Sequence, residues 1–196
     1  MHRDRFKEEL RVETLAARAR MSPSDWEKSD AARDSHILDR LAARKGTVAL
    51  YSSRPGEPGT HALIDALAAS GWAVLLPVLR RRVGWALFDS WAAMQPAWAG
   101  IEEPTGARLG PDALDAADLI LVPCLAIGRD GSRLGTGGGW YDRALPHRHS
   151  GAPVVALARA AEVLDTVPTL PHDIPVDAVV TETEWVNLAT RTIMDW

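Results

Sequence analysis

Trp72-Ala73-Val74-Leu75-Leu76-Pro77-Val78-Leu79 runs for eight residues without a charge, and its reading decides the fold. A strand that is wet on one face alternates apolar and polar residues, whereas a uniformly apolar run is the pattern of burial on both faces of a parallel sheet. Upstream of it, His61–Ser70 reads as a helix stopped by Gly71, preceded by a short strand over Thr47–Tyr51 and a loop over residues 52–59. Downstream, a strand near Val83–Phe88 is followed by irregular structure and a short helical turn over Pro111–Ala117. Leu119–Pro123 is a second buried strand, and Val154–Ala158 and Ala178–Thr181 complete the set. Ser22-Pro23-Ser24-Asp25 is a helix start, with Ser22 as N-cap and Pro23 in the first turn. That helix is expected to reach about Ala43, burying Ile37, Leu38, Leu41 and Ala42, and to end at Gly46. Phe6 and Leu10 lie four apart, with Lys7 and Arg11 on the adjacent face, so residues 3–20 read as an amphipathic helix. Helices alternating with buried strands predict an α/β, three-layer sandwich with a mainly parallel central sheet, Rossmann-like, as a single domain over residues 1–196. In such sheets ligands bind beyond the carboxyl ends of strands. The loops after Tyr51, Pro123 and Ala158 are therefore the first candidates.

With 196 residues, 46% hydrophobic and 24% charged, the chain can bury a core without disulfides or metals, and disorder, collagen or a coiled-coil rod are excluded. The net charge of −4 argues against a nucleic-acid partner, which needs a basic footprint. Charge is unevenly placed: residues 1–98 hold 15 Lys/Arg against 12 Asp/Glu (+3), and residues 99–196 hold 7 against 14 (−7). Cys124 is the only cysteine, so no intramolecular disulfide or multi-cysteine zinc site can form. The N-terminal MHRDRFKEELRVE lacks the apolar core of a signal peptide, and no run is long and apolar enough to span a bilayer. A soluble, cytoplasmic monomer is expected, with no membrane partner. Of the 8 tryptophans most should pack the core, leaving one or two to line a site for a flat ligand.

The densest chemical signal is Gly131-Ser132-Arg133-Leu134-Gly135-Thr136-Gly137-Gly138-Gly139-Trp140-Tyr141-Asp142-Arg143, after the Leu119–Pro123 strand and before an expected helix. Closely spaced glycines bare backbone N–H groups that can wrap phosphate oxygens. No Lys-Ser/Thr follows, so it is not a Walker loop, and Trp140 stands where the dinucleotide fingerprint needs glycine. Arg133 and Asp142 bracket the glycines with the charges that a magnesium nucleotide requires. Taken alone, Glu57, the Lys7/Arg11 face and Pro171-His172-Asp173-Ile174-Pro175-Val176-Asp177 read as ordinary solvated acid, helix face and turn. Arg80–Arg82 read as a strand-end basic rim, and Cys124 as structural. His147, His149 and Cys124 lack metal-ligand spacing, and no Ser-His-Asp or Cys-His arrangement is supported.

At the glycine loop the sequence resembles the 5-formyltetrahydrofolate cyclo-ligases, which carry a strand ending in V-P, an A-F-D-like stretch and G-x-R-L-G-x-G-x-G-Y-Y-D-R. Here these are Val122-Pro123, Ala126-Ile127-Gly128 and Gly131–Arg143. Lys7-Glu8-Glu9-Leu10-Arg11 is similar to the family's K-x-x-L-R, Glu57-Pro58-Gly59-Thr60 to its E-x-x-T, Gly100–Pro104 to its G-I-x-E-P, and His172–Asp177 to its H-D-x-x-V-D. The resemblance implies that Lys7, Arg133 and Tyr141 serve catalysis. It implies that Lys7, Arg11 and the segment Arg133, Leu134, Gly135, Thr136, Gly137, Gly138, Gly139, Trp140 and Tyr141 bind ATP. Glu57 and the loop Thr136–Trp140 are implied folate contacts, and Asp142 and Asp173 implied Mg2+ ligands. The implied substrate is 5-formyltetrahydrofolate, with or without a polyglutamate tail. Ile127-Gly128 in place of the family's aromatic–acid pair removes a ring and a carboxylate expected beside the site. Trp140 replaces a tyrosine, and Leu170 a glutamate common in bacterial members.

In this family the formyl oxygen attacks the γ-phosphate of ATP, and folate N10 then closes on the activated carbon, giving 5,10-methenyltetrahydrofolate, ADP and phosphate. Phosphoryl transfer needs positioning and charge neutralisation rather than a protein nucleophile, which agrees with the missing triad. Two rivals stand: a catalytically impaired nucleotide- or folate-binding protein of the same fold, and another phosphate-ester enzyme related to sugar-phosphate isomerases or CoA-transferases.

Overall fold

The structure, a computed structural model, describes residues 2–79 and 82–188. Arg80 and Arg81 of the expected basic rim lie outside the described residues. Two helices open the chain, α1 (His2–Ala19) and α2 (Pro23–Leu41), followed by β1 (Thr47–Ala49), α3 (His61–Ala69), β2 (Ala73–Pro77) and β3 (Trp85–Leu87). A short hairpin pairs β4 (Met94–Pro96) with β5 (Glu102–Pro104). Then come β6 (Leu119–Pro123), β7 (Ala126–Gly128), β8 (Arg133–Leu134), α4 (Trp140–Ala144), β9 (Val154–Leu157), β10 (Val163–Leu164), β11 (Ala178–Val180) and β12 (Trp185–Asn187).

The central seven-stranded sheet runs β12-β11-β9-β6-β1-β2-β3. Its five inner strands are parallel, and the edge strands β3 and β12 are antiparallel to their neighbours. Alternate residues of each inner strand feed opposite layers. Val48, Leu76, Leu119, Leu121 and Val155 face α2 and α3 through Ile37, Leu41, Leu63, Ile64 and Leu67. Ala49, Leu75, Ile120, Val122 and Val154 face the other layer, built from Trp85, Leu114, Ala144 and Leu145. Both faces are dry, as the apolar runs required, and the three-layer α/β architecture follows. The second layer is made of short helical pieces rather than long helices: a 3₁₀ turn at Pro111–Ala116, α4, and a 3₁₀ turn at Leu145–His147. No helix among the described residues is long and apolar enough to cross a membrane.

Three expectations are corrected. Ala42 is exposed, because α2 closes at Leu41. Gly46 does not cap that helix; it is small because a side chain there would collide with the Asp118 carboxylate, which accepts the Thr47 N–H at 2.8 Å. α1 turns Phe6 outward, 54% exposed, and buries Lys7 to 5%, while Leu10 packs half-buried against Leu125, Ala126, Leu134 and Val167. Ser22 does cap α2, its hydroxyl accepting the Asp25 N–H at 3.1 Å.

Candidate active site

Across the sheet the parallel strands read β11-β9-β6-β1-β2, so the winding of the chain reverses between β1 and β6. A crevice opens at such a switch point, outside the carboxyl ends of the strands. A cavity of about 780 Å³ occupies it, lined by Tyr51 and Ser52 after β1, Pro123 and Cys124 at the end of β6, the glycine loop, and one face of α1. The loop after Ala158 does not line the cavity; the Ala158 carbonyl accepts from Arg33 at 3.3 Å.

Lys7, Arg11 and Arg133 all reach this cavity. The Lys7 ammonium pairs with Asp173. Arg11 Nε donates to the Gly135 carbonyl at 3.0 Å, and Gly137, at φ +97°, lets the loop pass against the Arg11 guanidinium. Arg133 is set by β8, which pairs with β7; its guanidinium donates to the Pro123 carbonyl at 3.2 Å and to Asp142 at 3.3 Å. Gly139, at φ +60°, starts α4 and delivers Trp140 and Tyr141 to the cavity wall. The Trp140 Nε1, Tyr141 hydroxyl and Arg133 Nε are buried without a protein partner. Burial, with the Glu57 charge nearby, raises the Tyr141 hydroxyl far above its usual value against the opposing pull of Arg133, so it is a proton-bearing donor at neutral pH. Leu134 is the exception in the loop: its side chain packs under it with Leu125, Ala126 and Val167 and does not line the cavity.

Glu57 lines the cavity and is held by Arg54, whose Nε donates to Oε1 at 3.0 Å. Thr60 pins this loop, its hydroxyl donating to the Tyr51 carbonyl at 2.7 Å and accepting the Ser53 N–H at 3.0 Å. Asp142 and Asp173 line the same cavity. Asp142 accepts through Oδ1 from Arg133 and from the Ile174 N–H. Burial opposes the Asp173 charge, but the Lys7 ammonium and the Leu170 N–H outweigh it and hold the carboxyl below its usual value. Among the described residues no cluster of three or more His, Cys, Asp or Glu could hold a metal. Magnesium typically takes only one or two protein carboxylates beside substrate phosphates and water, and this donor set fits it.

Cys124 is buried, and burial with Glu162 pushes its thiol up to about 12, so it is inert packing as expected. Ile127 and Gly128 sit in β7, away from the cavity lining, so their departure from the family pattern removes nothing from its wall. A side chain at Gly128 would meet Asp130 and Ser132, whose own hydrogen bonds fill that space. Leu170 does reach the cavity, and its N–H holds Asp173 at 2.6 Å.

Several lining residues were not anticipated. Arg18, 2% exposed, donates through Nε and Nη2 to the two Glu162 oxygens at 2.7 and 2.8 Å. It also donates to the carbonyls of Cys124 at 2.7 Å and Gly56 at 3.2 Å, tying α1 to the end of β6 and to the loop after β1. Its signal was present: Lys7, Arg11 and Arg18 follow the 4- and 7-residue spacing of one helical face. Trp98 and Ile101, at the tip of the β4–β5 hairpin, and Leu79 also line the cavity. The hairpin is braced by buried Glu103, which accepts the Leu79 N–H at 3.0 Å.

A sequence profile of the 5-formyltetrahydrofolate cyclo-ligase family matches residues 3–182. The chain belongs to this family. A 5-formyltetrahydrofolate cyclo-ligase of Mycolicibacterium smegmatis is 38% identical over 183 residues, covering 90% of this chain and 94% of that protein. One from Haemophilus influenzae is 30% identical over 176 residues, covering 87% and 94%. The solved 5,10-methenyltetrahydrofolate synthetase of Aquifex aeolicus superposes with a TM-score of 0.81 at 29% identity, over 97% of each chain. In the cyclo-ligase frame, the motifs at Lys7–Arg11, Glu57–Thr60, Gly131–Arg143 and His172–Asp173 come from separate parts of the chain and meet at one cavity.

Proposed function

We propose that this chain converts 5-formyltetrahydrofolate to 5,10-methenyltetrahydrofolate at the expense of ATP, acting as a single-domain cytoplasmic monomer. The observation that carries the reading is the convergence of three cations, Lys7, Arg11 and Arg133, with a glycine-lined arc at the switch point. Cations and open backbone amides in a partly dry cleft suit a triphosphate, where charge must be neutralised and the γ-phosphoryl held in line. The folate would lie against Glu57 and Trp140, where an acid and an aromatic face suit a pterin ring.

The formyl oxygen attacks the γ-phosphorus, and the bridging bond to the β-phosphate breaks to release ADP. Folate N10 then attacks the formyl carbon; phosphate leaves with the former formyl oxygen, and N10 loses its proton to solvent. Lys7, Arg11 and Arg133 neutralise the transferring group, and the Tyr141 hydroxyl offers a proton-bearing donor beside it. Asp142 and Asp173 are the residues that would hold Mg2+, which when bound would add positive charge to neutralise the nucleotide. Lys7 pairs with Asp173 and Arg133 with Asp142, so each proposed phosphate cation rests on a proposed metal carboxylate. Were Asp142 and Asp173 to hold Mg2+ while Lys7 and Arg133 turned to the phosphates, neither pair would leave a charge stranded. Purified chain given 5-formyltetrahydrofolate, ATP and magnesium should gain methenyl absorbance in step with ADP; ADP without methenyl product, or neither, refutes the reading.

A further inference from the structure

Residues 52–59 carry Glu57 to the cavity without a helix or strand to hold them. Thr60 fastens this loop at its far end, and the Tyr51 hydroxyl donates to the Pro58 carbonyl at 2.8 Å. From the cavity side Arg54 holds the Glu57 carboxylate. The underside of the loop rests on α2, where Gly59 meets Asp30. A Cβ at Gly59 would strike the Asp30 carboxylate. Gly59 is not among the glycines of positive φ, so its missing side chain serves close approach rather than backbone conformation.

Asp30 is set in turn by Arg33, on the next turn of α2, whose side chain is fully buried. Arg33 donates through Nη2 to Asp30 and through Nη1 to the Ala158 carbonyl at 3.3 Å, while its Nε is buried without a hydrogen-bond partner. The guanidinium thus joins the chain leaving β9 to the support beneath the Glu57 loop. A buried guanidinium is costly, and an apolar side chain of similar volume would pack at least as well. What an apolar residue could not do is fix a carboxylate under Gly59. Neither Asp30 nor Arg33 lines the cavity, and the proposed phosphoryl transfer uses neither. We propose that Asp30 and Arg33 are positioning residues, a strut that sets the height of the loop at Gly59 and so the reach of Glu57 into the cavity. The effect on turnover rests on Glu57 being a folate contact, as read above; the strut itself does not.

Asp30→Ala should raise the KM for 5-formyltetrahydrofolate about fivefold, part of the weight of one hydrogen bond to a charged group, and leave the KM for ATP where it was. Asp30→Asn keeps the shape under Gly59 and an oxygen for Arg33, and should recover most of the loss. Gly59→Ala should raise the folate KM as well, by lifting the loop off Asp30. In the double variant the added methyl enters the space that Asp30 left, so its KM should be no worse than that of Asp30→Ala alone. Single effects that simply multiply in the double variant overturn the strut. So does a rise in both KM values or in neither, or an Asp30→Ala effect that keeps its full size in a Glu57→Ala background. Amide hydrogen exchange reads the loop without ligand. The Glu57 N–H, bonded to the Arg54 carbonyl at 3.0 Å, should exchange faster in Asp30→Ala, and the β6 amides should not. If Asp30→Ala does not fold, Gly59→Ala carries the same two readings. If the parent chain turns over no 5-formyltetrahydrofolate, the folate reading falls and exchange alone decides the strut: equal rates at Glu57 in parent and variant overturn it.

Discussion

Lys7 and Arg18 lie on the same face of α1 and do different work there. The Lys7 ammonium has one carboxylate partner and faces the cavity, so it can trade that partner for a phosphate. Arg18 is forked across both oxygens of Glu162 and two carbonyls, and has nothing left to trade. Lys7→Ala should therefore raise the KM for ATP about tenfold, the weight of a hydrogen bond to a charged group. An unmoved KM would remove α1 from the phosphates. Arg18→Met should instead cost about 3 kcal/mol in urea unfolding, because it leaves Glu162 buried and unpaired. Arg18→Met combined with Glu162→Leu should regain most of that, since the stranded charge is gone. A double variant no more stable than the single would show that the two carbonyl bonds, rather than the ion pair, hold this corner. Lys7 could be picked out from the sequence because a known motif surrounds it. For Arg18 the helical spacing from Lys7 and Arg11 marks its face, but its role could not be read, because its carboxylate partner lies 144 positions away.

Among the elements, the inner strands could be read directly and the small antiparallel pairs could not. Leu119–Pro123 and Ala73–Pro77 announce themselves by apolar runs, and Ser22 marks the start of α2 by its capping side chain. The β4–β5 and β7–β8 pairs have two or three residues per strand, and their pairing is settled by distant packing. The middle of α2 hides a further feature. Asp34 is buried there with Oδ1 unpartnered, and burial, offset in part by Arg33, raises its carboxyl to about 7. An unfolded aspartate releases its proton near pH 4. Between pH 4 and 7 the folded chain thus binds the extra proton, so this group's contribution to stability falls as pH rises through that window. Asp34→Asn keeps the shape and removes the charge. Its melting temperature should exceed that of the parent at pH 8 and approach it near pH 4.5. A gain of equal size at both pH values would show that the carboxyl does not titrate in this range.

At the scale of the whole molecule, the +3 and −7 halves acquire a meeting place. Lys7 and Arg11 come from the basic half, Asp142 and Asp173 from the acidic half, and the reversal of winding between β1 and β6 puts all four on one cavity. Strand order is a long-range property, so this convergence could be reached from the sequence only through the resemblance of its motifs. The ion-pair exchange makes a prediction about the entire fold. A ligand that binds only the folded chain stabilises it by about 2.7 kcal/mol at one hundred times its Kd, which for a chain of this size lifts the melting temperature by roughly 5–10 °C. Magnesium with ATP should produce such a shift. ATP with a chelator should produce a smaller one, since Asp142 and Asp173 would then lose Arg133 and Lys7 to the phosphates with no metal to replace them. Magnesium alone should do little, because both carboxylates already hold a cation. In Asp142→Asn the difference between ATP with and without magnesium should narrow while the unliganded melting temperature stays close to the parent's. Equal shifts with and without magnesium in the parent chain would refute the exchange and remove the two aspartates from metal binding.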